Sequence, residues 1–246
     1  MLGESQIDFF NTQGYLVFRN LLNQEEVENY LTIYDQILDK TTKNKSLRSD
    51  LSGKPNSRDG KEQITQVMLP STIDNQLRET IVYSKTLAMA KRLLGNDMAF
   101  DFDMLINKRP KTNAITPWHQ DAAYWIDMPD TRAVSIWIAL DRATINNGCM
   151  WYVPKSHLKP LRTHIQKMKN GPLHCLATEN EAKAIPLEPG ECVMHQGGTV
   201  HYSRGNSTSN SRRAFILNYR PKVMVALERS QGFDHSGKRK NRKGSS

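Results

Sequence analysis

Within the stretch Pro117-Trp118-His119-Gln120-Asp121-Ala122-Ala123-Tyr124-Trp125, two side chains could hold a metal ion. His119 and Asp121 are two positions apart, and on an extended strand that spacing turns both side chains to one face. A neutral imidazole beside a carboxylate supplies two thirds of a two-histidine, one-carboxylate triad. That donor set grips Fe(II) on one side and leaves other coordination positions open. The missing histidine has to come from a neighbouring strand far along the chain. The best candidate is His201, in Thr199-Val200-His201-Tyr202-Ser203. Eleven residues later stands Arg212, a planar cation suited to gripping a carboxylate through two parallel hydrogen bonds.

Taken alone, His-x-Asp arises by chance, and a surface turn explains it as well. The neighbours Trp118, Tyr124 and Trp125 argue for an apolar wall beside the pair rather than a solvated loop. Other histidines compete for the third position. His157 is one, and His164 and His174 lie in a segment between strands with no partner at ligand spacing. His195 is the serious rival, between Cys192-Val193-Met194 and Gln196-Gly197-Gly198, but only His201 has a serine two residues on and an arginine eleven on.

The elements that must position these residues follow from apolar periodicity. A short helix from Ser5 closes near Gly14, and Tyr15 to Phe18 reads as a strand. Asn23 caps a helix from about Gln24 to Asp39, in which Val27, Tyr30, Leu31, Tyr34, Ile37 and Leu38 recur at helical spacing. Residues 40–62 are polar and rich in lysine. They read equally as a mobile lid attracting an anionic substrate or as a solvated insertion. Strands are expected over Gln63–Leu69, Ala99–Lys108, Cys149–Val153 and Arg212–Tyr219, and a helix over Thr80–Leu94 closed by Gly95. From Ala133 to Leu140 the chain alternates, with Val134, Ile136, Ile138 and Leu140 on one face and Ser135, Trp137 and Ala139 on the other. Arg212, Ala214, Ile216 and Asn218 likewise share one face, so the adjacent Arg213 must point the opposite way. The pattern is that of an α+β chain, mainly β, around a double-sheet jelly roll.

These motifs together resemble the phytanoyl-CoA dioxygenase family of Fe(II)/2-oxoglutarate oxygenases. His119-Gln120-Asp121 matches its His-x-Asp. Asn147-Gly148-Cys149 with Pro154-Lys155-Ser156-His157 matches its downstream block, and His201, Ser203, Asn206 and Arg212 match its distal motif. The likeness runs from roughly Phe9 to Pro221. It implies a cupin-like double-stranded β-helix with N-terminal helices packed on one sheet. It implies that His119, Asp121 and His201 hold iron, and that 2-oxoglutarate chelates the iron with its far carboxylate on Arg212, helped by Ser203. It also puts Trp137 beside the co-substrate, Gln66 in the site and His157 in a structural or pocket-rim role. The implied reaction consumes O2, releases succinate and CO2, and hydroxylates a small organic or acyl substrate at an unactivated C–H bond. Desaturation or ring formation by the same family is an alternative. So is a non-catalytic cupin-like metal- or ligand-binding protein, which the complete triad with its arginine argues against. Asp121 argues against a halogenase, in which a small residue replaces that ligand. The substrate itself is not readable.

Length and charge set the frame. The 246 residues suit one domain over 1–227. Net charge is +9, but Lys238, Arg239, Lys240, Arg242 and Lys243 fall in the last nine residues, and without them it is +4. Residues 228–246 therefore read as a basic, disordered tail, with nucleic acid the less favoured alternative. No apolar run reaches the roughly 18 to 20 residues of a membrane span. Met1 to Gln6 has no signal-peptide pattern, and Cys149, Cys175 and Cys192 are too scattered for a disulfide framework. A reducing, cytoplasmic setting is the expectation. Nothing fixes the oligomeric state.

Overall fold

The computed structural model describes residues 2–43, 47–52, 62–166 and 171–236. The chain opens with helix α1 (Glu4–Gln13), strand β1 (Tyr15–Phe18) and helix α2 (Gln24–Lys43). Strands β2 (Arg48–Asp50) and β3 (Ile64–Met68) lead to helices α3 (Pro70–Ile73), α4 (Gln76–Glu79) and α5 (Ile81–Leu94). The long strand β4 (Met98–Lys108) follows, then β5 (Thr116–His119), β6 (Val134–Ala139) and β7 (Met150–Tyr152). A small hairpin, β8 (Ile165–Gln166) with β9 (Leu173–His174), precedes β10 (Lys183–Ile185), β11 (Cys192–Gln196) and β12 (His201–Ser203). Strand β13 (Arg212–Pro221) runs into the last helix, α6 (Lys222–Ser230).

The strands form a seven-stranded sheet, in the order β1-β11-β6-β13-β4-β3-β2, facing a four-stranded sheet, β10-β7-β12-β5. All pairings in both are antiparallel. This is the expected α+β, mainly β, double-stranded β-helix. Alternation sorts the side chains of the large sheet. Ile136, Ile138, Phe215 and Leu217 pack outward against Tyr30, Tyr34, Ile37, Val82 and Leu93 of α2 and α5. Trp137, Ala139, Val193, Ala214 and Ile216 face inward, against Tyr152 of the small sheet. The N-terminal helices thus seal one sheet, as expected, and leave the space between the sheets for the site.

Local chemistry fixes the ends of these elements. Asn23 Oδ1 accepts from the Glu26 amide and Glu26 Oε2 accepts from the Asn23 amide, both at 2.8 Å, a capping box that starts α2. Gly14 ends α1 at φ 85°, and a side chain there would strike the His157 ring and the Thr199 hydroxyl. Glycine is required because both the left-handed backbone and the space demand it.

Two expected boundaries change. Helix α2 continues to Lys43, past Asp39, and β2 adds an edge strand within the stretch expected to be a loop. Arg48 explains the order: it makes a two-pronged ion pair with Glu62 at 3.0 Å and donates to the Leu38 carbonyl at 2.9 Å. Asp50 then caps the amides of Gln63 and Ile64 at 2.9 and 3.1 Å. Residues 44–46 and 53–61 lie outside the described residues. At the other end, Glu228 to Ser236 are folded rather than a disordered tail. Buried Arg220 binds Asp101 (2.6 Å) and Glu228, and the His235 ring lies 3.1 Å from Glu228 and packs on Phe102. Ion pairs hold this segment, which is why its loss of apolar residues misled. Residues 237–246 lie outside the described residues. All three cysteines are free and buried, and among the described residues no helix is long and apolar enough to cross a membrane.

Candidate metal centre

His119 and His201 are directly opposed, cross-strand partners on β5 and β12. Their rings lie 4.1 Å apart. Strand β5 stops at His119, and Gln120 stays extended before a 3-10 turn begins at Asp121. The two-residue spacing therefore turns Asp121 to the histidine face, although Asp121 itself is not on a strand. Donor atoms of His119, Asp121 and His201 all lie within 4.8 Å of one another. Asp121 Oδ1 is 3.7 Å from His119 Nε2 and 3.5 Å from His201 Nε2.

The second nitrogen of each ring settles which atom is free. His119 Nδ1 is 2.7 Å from the Pro117 carbonyl and His201 Nδ1 is 2.9 Å from the Thr199 carbonyl. A carbonyl can only accept, so each Nδ1 carries the proton and each Nε2 offers a bare lone pair towards Asp121. Burial pushes both imidazoles down from their ordinary pKa, and the neighbouring rings push His201 further. The neutral form is the one that ligates. Burial opposes ionisation of Asp121, but the three surrounding rings and a hydrogen bond from His195 outweigh it and hold the carboxyl below its usual range. The side chains are 12%, 23% and 4% exposed for His119, Asp121 and His201, so the group opens on the Asp121 side.

Arg212 sits where the alternation of β13 puts it. Its side chain points inward, 1% exposed, with the guanidinium 5.1 Å from the Trp137 ring centre. Nε and Nη1 are buried without a hydrogen-bond partner. Burial pushes its pKa down to about 10. Arg213 faces the other way and pairs with Asp141 at 2.9 Å and Asp35 at 3.3 Å. Ser203 is buried two residues from His201 on the same side of β12. Gln66 faces inward from β3, its amide 3.5 Å from Met104 Sδ.

Sequence reasoning misplaced or missed several side chains. Trp118 does not wall the site. It alternates with His119, so it stacks on Tyr202 behind the small sheet at 4.4 Å. Trp125 lies under the Arg220 guanidinium, and of the three rings only Tyr124 meets His119, edge-on at 5.9 Å. His157 is structural, bonding the Asn11 carbonyl at 2.9 Å, and His164 accepts the Gln120 amide at 3.1 Å. His195 is beside the triad, its Nε2 3.1 Å from Asp121 Oδ2. Lys108, opposite Arg212 across β4 and β13, had no sequence signal. It is fully buried, donating to the carbonyls of Ala114 (2.9 Å) and Ser203 (3.4 Å). An open cleft of about 490 Å³ is lined by Asp141, Asn147 and Arg213 and shares no residue with the triad.

A family model, phytanoyl-CoA dioxygenase (PhyH), matches residues 10–214. The chain belongs to the phytanoyl-CoA dioxygenase family. A curated relative, the probable phytanoyl-CoA dioxygenase of Caenorhabditis elegans, is 28% identical over 237 residues, covering 89% of this chain and 75% of the relative. Among solved structures, EvdO2 from Micromonospora carbonacea var. aurantiaca complexed with 2-oxoglutarate superposes with a TM-score of 0.75 at 26% identity, covering 89% of this chain and 91% of that one. The epimerase SnoN in complex with Fe3+, alpha ketoglutarate and nogalamycin RO shares the fold, with a TM-score of 0.73, 21% identity and coverage of 99% and 91%. This member of the phytanoyl-CoA dioxygenase family is an Fe(II)/2-oxoglutarate-dependent oxygenase that uses O2.

Proposed function

We propose that His119, Asp121 and His201 hold the iron, and that Arg212 anchors the far carboxylate of 2-oxoglutarate in an enzyme that hydroxylates a small organic or acyl substrate. The observation that carries this is the pairing of two kinds of unmet demand. Two bare imidazole nitrogens converge on a carboxylate, and a buried guanidinium has two N–H groups without partners. Buried polar groups are almost always paired, so an orphaned guanidinium marks a place where an anion belongs. Bound iron supplies the activation of oxygen that oxidises both the co-substrate and an unactivated C–H bond.

The chain's own residues do the rest. Trp137, under the Arg212 guanidinium, gives the co-substrate a flat wall and keeps water from the ion pair. Ser203, on the His201 side, offers a hydroxyl to the same carboxylate. Lys108, whose pKa burial and the neighbouring Arg212 push well down, ties the end of β4 to the carbonyls of Ala114 and Ser203 at that end of the barrel. Gln66 lines the approach from β3. Anionic character in the substrate rests on the lysine-rich 40–62 stretch. This support is thinner than the sequence suggests, because Lys40 and Arg48 are already paired with Asp74 and Glu62. The free cysteines fit a reducing, cytoplasmic setting.

Anaerobic titration of Fe(II) and then 2-oxoglutarate, followed through the charge-transfer absorption of the chelated complex, tests the assignment. The band is expected in the wild type and absent in His119→Ala, Asp121→Ala and His201→Ala. Its persistence in His201→Ala with loss in His195→Ala would reverse the choice between those two histidines. Mass spectrometry of a metabolite extract after aerobic incubation with enzyme, Fe(II) and 2-oxoglutarate tests hydroxylation, through a product one oxygen heavier than its precursor.

A further inference from the structure

The two oxygens of Asp121 are treated differently by the fold. Oδ1 faces the bare nitrogens of His119 and His201. Oδ2 receives hydrogen bonds from two sides: Ser135 Oγ at 2.7 Å and His195 Nε2 at 3.1 Å. Neither donor is free to turn away. Asn218 Nδ2 donates to Ser135 Oγ at 2.9 Å, which directs the serine hydroxyl hydrogen onto the carboxylate. Tyr152 OH lies 3.2 Å from His195 Nδ1. In the neutral ring, a histidine that gives its Nε2 proton to a carboxylate accepts at Nδ1, and the Tyr152 hydroxyl is placed to donate there. The tyrosine ring is itself stacked on Tyr15, 5.2 Å away and 12° from parallel. Ser135, Tyr152, His195 and Asn218 are all buried. They come from β6, β7, β11 and β13, four strands converging on one oxygen atom.

We propose that His195 and Ser135 are positioning residues that hold Asp121 to ligation through Oδ1 alone. This rests on the reading of His119, Asp121 and His201 as the metal ligands. A carboxylate can bind an ion through one oxygen or both. Two-oxygen binding would occupy a position that a chelating co-substrate or oxygen requires. With Oδ2 engaged by two donors, rotation of the carboxylate onto the ion costs both hydrogen bonds. The open positions of the site are thus protected by the protein rather than left to the metal. His195, the rival ligand in the sequence, acts from behind the carboxylate.

The test uses Co(II) as a spectroscopic probe, with affinity from competition against a chelator and coordination number from the intensity of the visible d–d bands. Four variants are compared with wild type: Asp121→Ala, Ser135→Ala, His195→Leu and His195→Gln. Loss of an outer partner of a metal ligand lowers affinity about 10- to 100-fold. His195→Leu and Ser135→Ala are each expected to show that loss, together with weaker d–d bands as the carboxylate takes a second position. His195→Gln, whose amide nitrogen can donate to Oδ2, is expected to recover most of both. Wild-type affinity and spectrum in His195→Leu would overturn the inference, as would equal losses in His195→Leu and His195→Gln. If His195→Leu does not fold, Ser135→Ala decides alone by the same two readouts. Undiminished Co(II) binding in Asp121→Ala would instead overturn the ligand assignment, and the inference with it.

Discussion

Replacing Arg212 tests the co-substrate end of the barrel. In the structure Arg212 is almost fully buried and two of its guanidinium nitrogens have no partner, so a carboxylate bound there gives up nearly all its water. Truncating one member of such a buried charge pair costs about 2 to 5 kcal/mol. At about 1.4 kcal/mol per decade, Arg212→Ala is expected to weaken 2-oxoglutarate binding roughly 30- to 3,000-fold. Arg212→Lys should recover part of this, because an ammonium restores charge without the planar two-pronged fit. Arg213→Ala is the internal control. Its side chain lies on the other face, already engaged by Asp141 and Asp35, and should change the dissociation constant by no more than a few-fold. Anaerobic titration of 2-oxoglutarate into the Fe(II) protein measures all three. Equal losses at 212 and 213, or a larger one at 213, would refute the reasoning.

Three further outcomes are expected. His119→Ala, Asp121→Ala and His201→Ala should each abolish Fe(II)-dependent release of succinate while their circular dichroism spectra stay unchanged, and wild-type turnover in any one removes it from the ligand set. Trp118→Ala should lower stability by about 1 to 3 kcal/mol, less than the roughly 3 to 5 of a fully buried ring, with little change in metal affinity, because its ring lies behind the small sheet. Glu228→Gln should cost about 3 to 5 kcal/mol in urea unfolding at neutral pH, since it strips a buried ion pair of its acid. Burial works against ionisation of Asp101 and Glu228, but His235 and Arg220 outweigh it and hold both carboxyls below their ordinary values. Their contribution is therefore complete above pH about 4 to 5 and lost as pH falls through the lowered folded values. The gap between wild type and Glu228→Gln should narrow in that acid range.

Much of this was legible in the residues, for identifiable reasons. Alternation along β6 and β13 separated Trp137 from Ile136 and Arg212 from Arg213, because a strand buried on both faces still distinguishes aliphatic packing from polar pocket. The spacing of His201 to Ser203 and Arg212 singled it out, and the structure brings its Nε2 within 3.5 Å of Asp121. Three things were not legible. Trp118 looked like pocket wall by adjacency, although strand geometry turns the neighbour of a ligand away from it. The fold of Glu228 to Ser236 depends on Asp101, far away in sequence, so no local apolar pattern announces it. The carboxylate support from His195, Ser135, Tyr152 and Asn218 is assembled from four strands, and nothing in any one of them marks it. Gln66, which the likeness put in the site, bonds Ser49 and Met104.

Asp121 also ties the two sheets together. His119 and His201 belong to the small sheet, while the donors on Asp121 Oδ2 belong to strands of the large one. An ion held by all three ligands therefore finds its site only after residues 119 and 201 have paired and the sheets have closed. Pairings between such distant segments form late and slowly. Iron should then leave the folding rate nearly untouched and slow unfolding instead, since it stabilises contacts absent from the transition state. A newly made chain would not need the metal to fold. The loaded protein would open less often to proteases, so iron supply would set the lifetime of this enzyme as well as its turnover.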